Sequence, residues 1–337
     1  MTSSTEREAG MLRIGILGAA GIAPRSIIQP ARRRSDVTIY GVASRRAQAG
    51  ADYAALHRIP KSYGSYADLL ADPEIDAVYN ALPPAGHAQW SVAALEAGKH
   101  VLCEKPIAMS SAEAETMFAA SAASGKILME AFHDRYHPVF LHLLELKESG
   151  RLGTLKSVKA EFYVDIPFDP ASIRHDPGQG GGCMMDLGCY PLHWLRNFFG
   201  EEPKVLSAKA TLTALGVDES MHARLRFGNV DAELVAHIAK PPFEARLSVI
   251  GDGGTIEIDN PVLPHKGHSI RQTYDGRLEE FTLGGGTTYD YQLQAFVEAI
   301  DSGRPPLTGR SDAVNNMIAL EKIYAMAALK MEKGQDA

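Results

Sequence analysis

Ile14-Gly15-Ile16-Leu17-Gly18-Ala19-Ala20-Gly21-Ile22-Ala23 is the stretch that decides the fold. The apolar run Leu12–Leu17 ends in a glycine turn, and a helical pattern over Ile22–Arg34 follows it. In such a strand–turn–helix unit, glycines permit a tight turn and close approach of the backbone to a pyrophosphate. The helix start adds free N–H groups and the positive end of its dipole. The usual spacing is G-x-G-x-x-G/A; here it reads Gly18-x-Ala20-x-x-Ala23, with Ala at the middle position and Gly21 added. An isolated motif of this kind competes with an ordinary glycine turn. Its place in the first βα unit of an alternating chain favours dinucleotide binding. Gly18, Ala19, Ala20, Gly21, Ile22 and Ala23 are therefore the expected phosphate-loop contacts.

Outward from this loop, short apolar runs alternate with helical patterns. Val37–Ala43 is a second strand, followed by a helix-prone stretch from Arg46. Asp76–Asn80 is a third strand, broken off by Pro83-Pro84; His87–Ala97 is a helix with Gly98 just past its end. Lys99–Cys103 is a further strand and Ser110–Ser124 a further helix. Strands alternating with helices predict a parallel, doubly wound sheet. Past about residue 150 the rhythm changes. Thr154–Asp165 is long and strand-like, Asp165–Gly182 is a loop rich in Pro, Gly and Asp, and Met184–Phe199 is helical. Lys204–Leu283 holds many strand-like runs with turns at Gly228-Asn229 and Gly251-Asp252-Gly253, which predicts a largely antiparallel sheet. Helices over Tyr289–Ser302 and Arg310–Met331 close the chain. The expected organisation is a polar tail over 1–10, an α/β dinucleotide-binding domain over 11–131, and an α+β domain over 132–337. The final helix of the second domain is free to pack back on the first.

The bulk properties agree with a large soluble enzyme. The chain has 337 residues, 45% hydrophobic and 22% charged, which supplies a core and argues against disorder. A net charge of -7 disfavours nucleic acid and anionic membrane as partners. Cys103, Cys183 and Cys189 are too few for a disulfide framework and match no zinc spacing, so a reducing cytoplasm is expected. The stretch Met1–Gly10 is polar, and no apolar run approaches the ~18 residues of a membrane span. There is no internal repeat.

Three further segments carry chemistry. The second strand ends in Ser44-Arg45-Arg46, where an NAD enzyme usually places Asp or Glu for the ribose 2′-hydroxyl. One hydroxyl and two guanidiniums match a 2′-phosphate instead, so NADP is expected, with NAD still open. Glu104-Lys105-Pro106 follows the strand Lys99–Cys103, at the strand end that faces the ligand crevice of a doubly wound sheet. Lys105 there is a candidate acid–base or electrostatic group. Gly180-Gly181-Gly182-Cys183-Met184-Met185-Asp186-Leu187-Gly188-Cys189-Tyr190 opens a helix from a glycine-rich loop. Asp186 and Tyr190, four apart, share a helix face, although Gly188 and Pro191 weaken the helix locally. The segment reads either as an active-site wall or as a helix with one capping Asp and one core Tyr.

Taken jointly, these motifs resemble the glucose–fructose oxidoreductase / inositol dehydrogenase family over nearly the whole chain. The resemblance is carried by the Gly18–Ala23 loop, Asn80-Ala81-Leu82-Pro83-Pro84 with His87, Glu104-Lys105-Pro106, Glu130-Ala131-Phe132 through Arg135, His137-Pro138, and Gly180–Tyr190. It implies a large, mostly antiparallel sheet in the second domain, often used for oligomer contacts, and hence a homo-oligomer, dimer or tetramer. It also implies that Lys105, Asp186 and Tyr190 flank the nicotinamide, with Asn80, Leu82, Pro83, His87, Glu104 and Arg135 around the cofactor. Many members carry His at the position of Tyr190. Tyr resembles the branch of glucose–fructose oxidoreductase, xylose dehydrogenase and dimeric dihydrodiol dehydrogenase, which favours pyranose sugars or trans-dihydrodiols over inositols. The export signal and longer N-terminal arm of glucose–fructose oxidoreductase are not seen, so a releasable cofactor is expected.

The implied reaction is hydride transfer between a carbinol carbon and nicotinamide C4. Tyr190 is the expected proton acceptor, its phenol (ordinarily ~10) lowered by the Lys105 ammonium. Asp186 would hold a substrate hydroxyl or orient Lys105, and Lys105 as the direct base stays open. Arg174 is expected on substrate oxygens, and so is His193, for which a packed histidine is the competing reading. His133, His137 and His142 form no convincing metal set, no metal is expected, and Trp90 and Trp194 read as core. Two other functions compete: reduction of keto-sugars or dicarbonyls, and a non-catalytic nucleotide-binding regulator. A regulator is free to lose Lys105, Asp186 or Tyr190, and this chain keeps all three.

Overall fold

The computed structural model describes residues 10–329. The expected polar tail, except Gly10, and the end of the helix expected to reach Met331 lie outside them. A first sheet is made of β1 (Leu12–Leu17), β2 (Val37–Ala43), β3 (Lys61–Tyr63), β4 (Ala77–Asn80), β5 (His100–Cys103) and β6 (Leu128–Glu130), in the order β3-β2-β1-β4-β5-β6. All its pairings are parallel. Ile14, Ile16, Leu17, Val42 and all of β4 are buried, as expected for strands covered by helices on both faces. The strand order reverses between β1 and β4, and there the carboxyl ends of the strands open a crevice. Gly18 continues β1 into that crevice, and Ala81–Pro84 continues β4.

The second sheet runs β14-β13-β12-β11-β7-β10-β9-β8, from β7 (Leu155–Asp165), β8 (Lys204–Leu212), β9 (Asp218–Phe227), β10 (Val230–His237), β11 (Ala239–Gly251), β12 (Gly254–Asp259), β13 (Ser269–Tyr274) and β14 (Arg277–Phe281). Only β7 with β10 is parallel; the other pairs are antiparallel. Alternation sets its faces. Ala245, Leu247 and Val249 of β11 enter the core with Trp194, Leu195 and Phe198 of the helix Cys189–Phe199, while Ile250 faces out.

The expected helix Met184–Phe199 is not uniform. Met184–Gly188 is a π-helical turn, and the α-helix proper is Cys189–Phe199. Pro191 follows directly on that turn and can donate to none of the carbonyls before it; the Asp186 carbonyl accepts from Lys105 Nζ (2.6 Å) instead. The helix expected over Ile22–Arg34 resolves the same way, into a π turn Pro24–Ile28 and a short α segment Gln29–Arg32. Two strands and two α-helices have no counterpart in the sequence reading: β3, β6, and the helices Tyr66–Ala71 and Pro138–Glu148. The closing helices are Thr288–Ser302 and Arg310–Met326. The first sends Leu293, Phe296 and Val297 into the core of the first sheet. The second gives Ala313, Val314 and Met317 to that half and Leu320, Ile323 and Tyr324 to the other, and so clamps the two together. No helix of the described residues is long and apolar enough to cross a membrane.

Candidate active site

A cleft of about 670 Å³ runs from the loop after β1 to the helix carrying Asp186 and Tyr190. At the phosphate-loop end, Gly18 has φ +97°, which a side chain rarely adopts. A Cβ there would sit 3.1 Å from Leu82 and 3.6 Å from the Ala81 carbonyl oxygen. A Cβ on Gly21 would meet nothing within 4 Å, so the backbone is open to a ligand there. The helical turn that follows begins with Pro24, and its first N–H groups are already taken: Ala23 donates to the Ala20 carbonyl (3.2 Å), and Arg25 and Ser26 both donate to the Ile22 carbonyl (3.1 Å). Ala23 is fully buried and serves close helix–strand packing rather than contact. The Gly18 N–H donates to the Ala43 carbonyl (2.9 Å), which brings Ser44-Arg45-Arg46 beside the loop. The Ser44 hydroxyl accepts from the Arg46 N–H (3.3 Å), both arginines are exposed, and the helix Ala47–His57 starts without a side-chain cap. A glycine loop open at Gly21, the uncapped start of the helix Ala47–His57 and two guanidiniums fit a dinucleotide carrying an extra phosphate.

Behind this wall stand two of the expected cofactor residues. Asn80 is buried and donates to the His87 carbonyl and the Ser91 hydroxyl. The His87 ring spans the Pro106 carbonyl (Nδ1, 2.9 Å) and the Leu82 carbonyl (Nε2, 2.8 Å). Both hold Leu82, Pro83 and Pro106 in place instead of lining the cleft themselves. Glu104 does line it, with its carboxylate accepting from the Tyr79 hydroxyl, which also meets Ser26.

At the other end, Lys105 Nζ donates to the Asp186 carbonyl (2.6 Å) and to Asp186 Oδ1 (3.1 Å). Arg174 Nε donates to Asp186 Oδ2 (2.7 Å) from the rim. Burial pushes the Asp186 carboxyl up, but Lys105 and Arg174 together hold it at about 2. Burial pulls the Lys105 ammonium down; Asp186, with Cys189 and Glu104, outweighs it and raises that ammonium above its ordinary value. The Tyr190 hydroxyl meets His133 Nε2 at 3.1 Å.

Several expectations need correction. The Lys105 ammonium lies over the face of the Tyr190 ring, 5.1 Å from its centre, and does not outweigh the burial of the phenol. Burial, with Tyr289 and Glu104 nearby, therefore pushes the Tyr190 phenol well above its ordinary value, not below it. Arg135 turns away from the cleft: its Nε donates to Asn197 Oδ1 (2.8 Å), and its guanidinium lies over Phe140. His193 is fully buried, stacked on Phe132 at 4.0 Å and paired with Asp312 (2.8 Å), so it packs the helix behind the site. Conversely, His133, Tyr289 and Arg25 line the cleft without having been singled out for it. The available signal was the place of His133 directly after Glu130-Ala131-Phe132, but the sequence reading weighed it only as a metal ligand. No group of three His, Cys, Asp or Glu side chains among the described residues could hold a metal ion.

Comparison with known proteins agrees with this arrangement. The model of an oxidoreductase family with an NAD-binding Rossmann fold, GFO/IDH/MocA, matches residues 12–132, and the GFO/IDH/MocA C-terminal domain matches residues 140–257. The chain is 35% identical to D-xylose 1-dehydrogenase (NADP(+)) 2 of Haloferax volcanii, over 94% of this chain and 97% of that one. It is 33% identical to trans-1,2-dihydrobenzene-1,2-diol dehydrogenase of Xenopus tropicalis, over 66% and 67%. Among solved structures, aldose-aldose oxidoreductase from Caulobacter crescentus superposes with a TM-score of 0.87 at 27% identity, over 94% of this chain and 98% of that one. A 3-ketoreductase from Actinomadura kijaniata, solved with NADP and TDP-benzene, superposes at 0.86 and 25%, with the same coverage.

Proposed function

Because the chain belongs to the GFO/IDH/MocA oxidoreductase family, we propose that it moves hydride between NADP(H) and a carbinol or carbonyl carbon of a pyranose aldose or a trans-dihydrodiol. The carrying observation is that Lys105, Asp186 and Tyr190 meet at the end of the cleft that begins at the glycine loop. When bound, the nicotinamide supplies the hydride acceptor or donor. Leu82, Pro83 and Glu104 border its path, and Ser44, Arg45 and Arg46 would hold its 2′-phosphate. Arg174 at the rim and Lys105 in the wall both present N–H donors to a polyhydroxylated substrate. Asp186 fixes the two and balances their charge.

Both Lys105 and Tyr190 carry their protons near neutral pH, by the shifts described above. Two proton donors facing one cleft favour a second reading, reduction of a keto-sugar or dicarbonyl carbonyl. The supporting experiment is a screen of aldoses, trans-dihydrodiols and keto-sugars, followed by nicotinamide absorbance in both directions. Turnover on a pyranose or diol carries the first reading. Turnover on carbonyls alone moves weight to the second, and none on any of them refutes both.

For the rest of the chain, we read 11–131 as the cofactor domain and 132–337 as the substrate and assembly domain. The outer face of the second sheet, which carries exposed Ile250 and, four residues back along β11, the Arg246–Asp259 pair, supports a homo-oligomer. A monomer in sedimentation velocity would refute that. Free, buried Cys103, Cys183 and Cys189 support a cytoplasmic setting.

A further inference from the structure

The Tyr190 hydroxyl has one hydrogen-bond partner among the described residues, His133 Nε2 at 3.1 Å. The imidazole is 3% exposed and stands at the start of the 3-10 turn His133–Tyr136. Tyr289 covers one side of the ring, with centroids 4.2 Å apart. Its Nδ1 is buried and meets no partner among the described residues. Nothing in the local packing therefore ties the ring proton to Nδ1 or to Nε2, and the choice rests on Tyr190.

The two tautomers make Tyr190 a different reagent. With the proton on Nδ1, Nε2 accepts the phenolic O–H, and the phenol oxygen turns its lone pairs to the cleft. With the proton on Nε2, that N–H donates to the phenol oxygen, and the phenolic hydrogen turns to the cleft.

We propose that His133 is the positioning residue of the proton step: its tautomer sets whether Tyr190 accepts or donates in the cleft, and its Nε2 takes the phenolic proton when a substrate hydroxyl is oxidised. This rests on the role given to Tyr190 above. In oxidation the substrate O–H bond breaks as its proton joins the Tyr190 oxygen, and the original Tyr190 O–H bond breaks toward Nε2. The carbinol C–H pair leaves as hydride to the oxidised nicotinamide, and the carbonyl forms. The buried imidazolium has no exit of its own, so its Nε2 proton goes back to the Tyr190 oxygen as the phenolic hydrogen passes to water in the cleft once product has left. Reduction runs the same bonds backwards.

The surroundings keep His133 neutral between turnovers. Lys105 after β5, Arg25 in the turn after β1, His265 in the turn Pro264–Lys266 and His137 all oppose a second ring proton. The phenols of Tyr190 and Tyr289 also face it, and Glu104 and Asp134 bear on Tyr190. Burial and the cations push His133 well below the ordinary imidazole value. A phenol above its ordinary range offers no phenolate near neutrality, so a relay through a neutral acceptor gives the proton somewhere to go.

The test compares wild type with His133→Phe and His133→Gln. Pyranose oxidation is expected to fall roughly a hundredfold in kcat in both, with KM and NADPH affinity little changed. The acid limb of the wild-type profile, where protonated His133 cannot accept, should vanish in both. A Gln variant at the wild-type rate would mean that a hydrogen bond suffices, and would overturn the relay. A second readout needs no substrate: the imidazole 15N resonances lost in His133→Phe should shift in Tyr190→Phe. A wild type that oxidises no pyranose would sink the proposed reaction, while unshifted resonances would sink the His133 coupling on its own.

Discussion

Arg45 and Arg46 place two guanidiniums where a carboxylate would exclude a 2′-phosphate. Arg45 also reaches the Tyr66 hydroxyl, which steadies an otherwise exposed side chain. Replacing both by Ala should weaken NADPH about tenfold to a hundredfold, as expected for lost charge-assisted hydrogen bonds, and leave NADH nearly unchanged. Equal losses for both nucleotides in a fluorescence titration would refute the assignment. The place of Ser44-Arg45-Arg46 at the end of β2, beside the glycine loop, was legible in the chain, because position in one βα unit suffices to read it. The same holds for Lys105 and Asp186. The environment of Tyr190 was not legible: its partner His133 stands 57 positions away, and the burial that sets the direction of the phenol's shift comes from elements far apart in the chain. For Arg135 and His193, sequence gave the neighbourhood but not the direction of the side chain, which Asn197 and Asp312 set.

Between residues and fold lie the braces that shape the cleft. His87 spans the loops after β4 and β5 through the Leu82 and Pro106 carbonyls. Burial pushes this imidazole down to about 4, against two carbonyls that favour its charged form. The unfolded chain binds the proton at ~6.5, so stability from His87 is full above that value and drains as pH falls toward about 4. Over the whole window the loss is roughly 3 kcal/mol. His87→Asn should be less stable near neutral pH and show a shallower acid slope in urea unfolding; parallel slopes would contradict this. The short elements around these braces escaped prediction for a physical reason. β3 and β6 are three residues each, too short for any periodicity to register, and the π turns at Pro24 and Met184 keep a helical pattern while shifting its register.

For the molecule as a whole, the parallel sheet of the first half and the change of rhythm near residue 150 were open to a reader of the chain, because periodicity of burial is written in side chains. How the two sheets enclose one cleft was not. That depends on the helix Arg310–Met326 giving residues to both cores, and on the Arg174 loop reaching back to Asp186. The enclosure is what turns a nucleotide crevice into a site with two proton donors on its wall. The most direct measurement is therefore pyranose oxidation with NADP by wild type and Tyr190→Phe, side by side, with NADPH affinity measured on both. The account predicts turnover in wild type, a kcat lower by about a hundredfold or more in the variant, and matching affinities. A variant that turns over like wild type would contradict it.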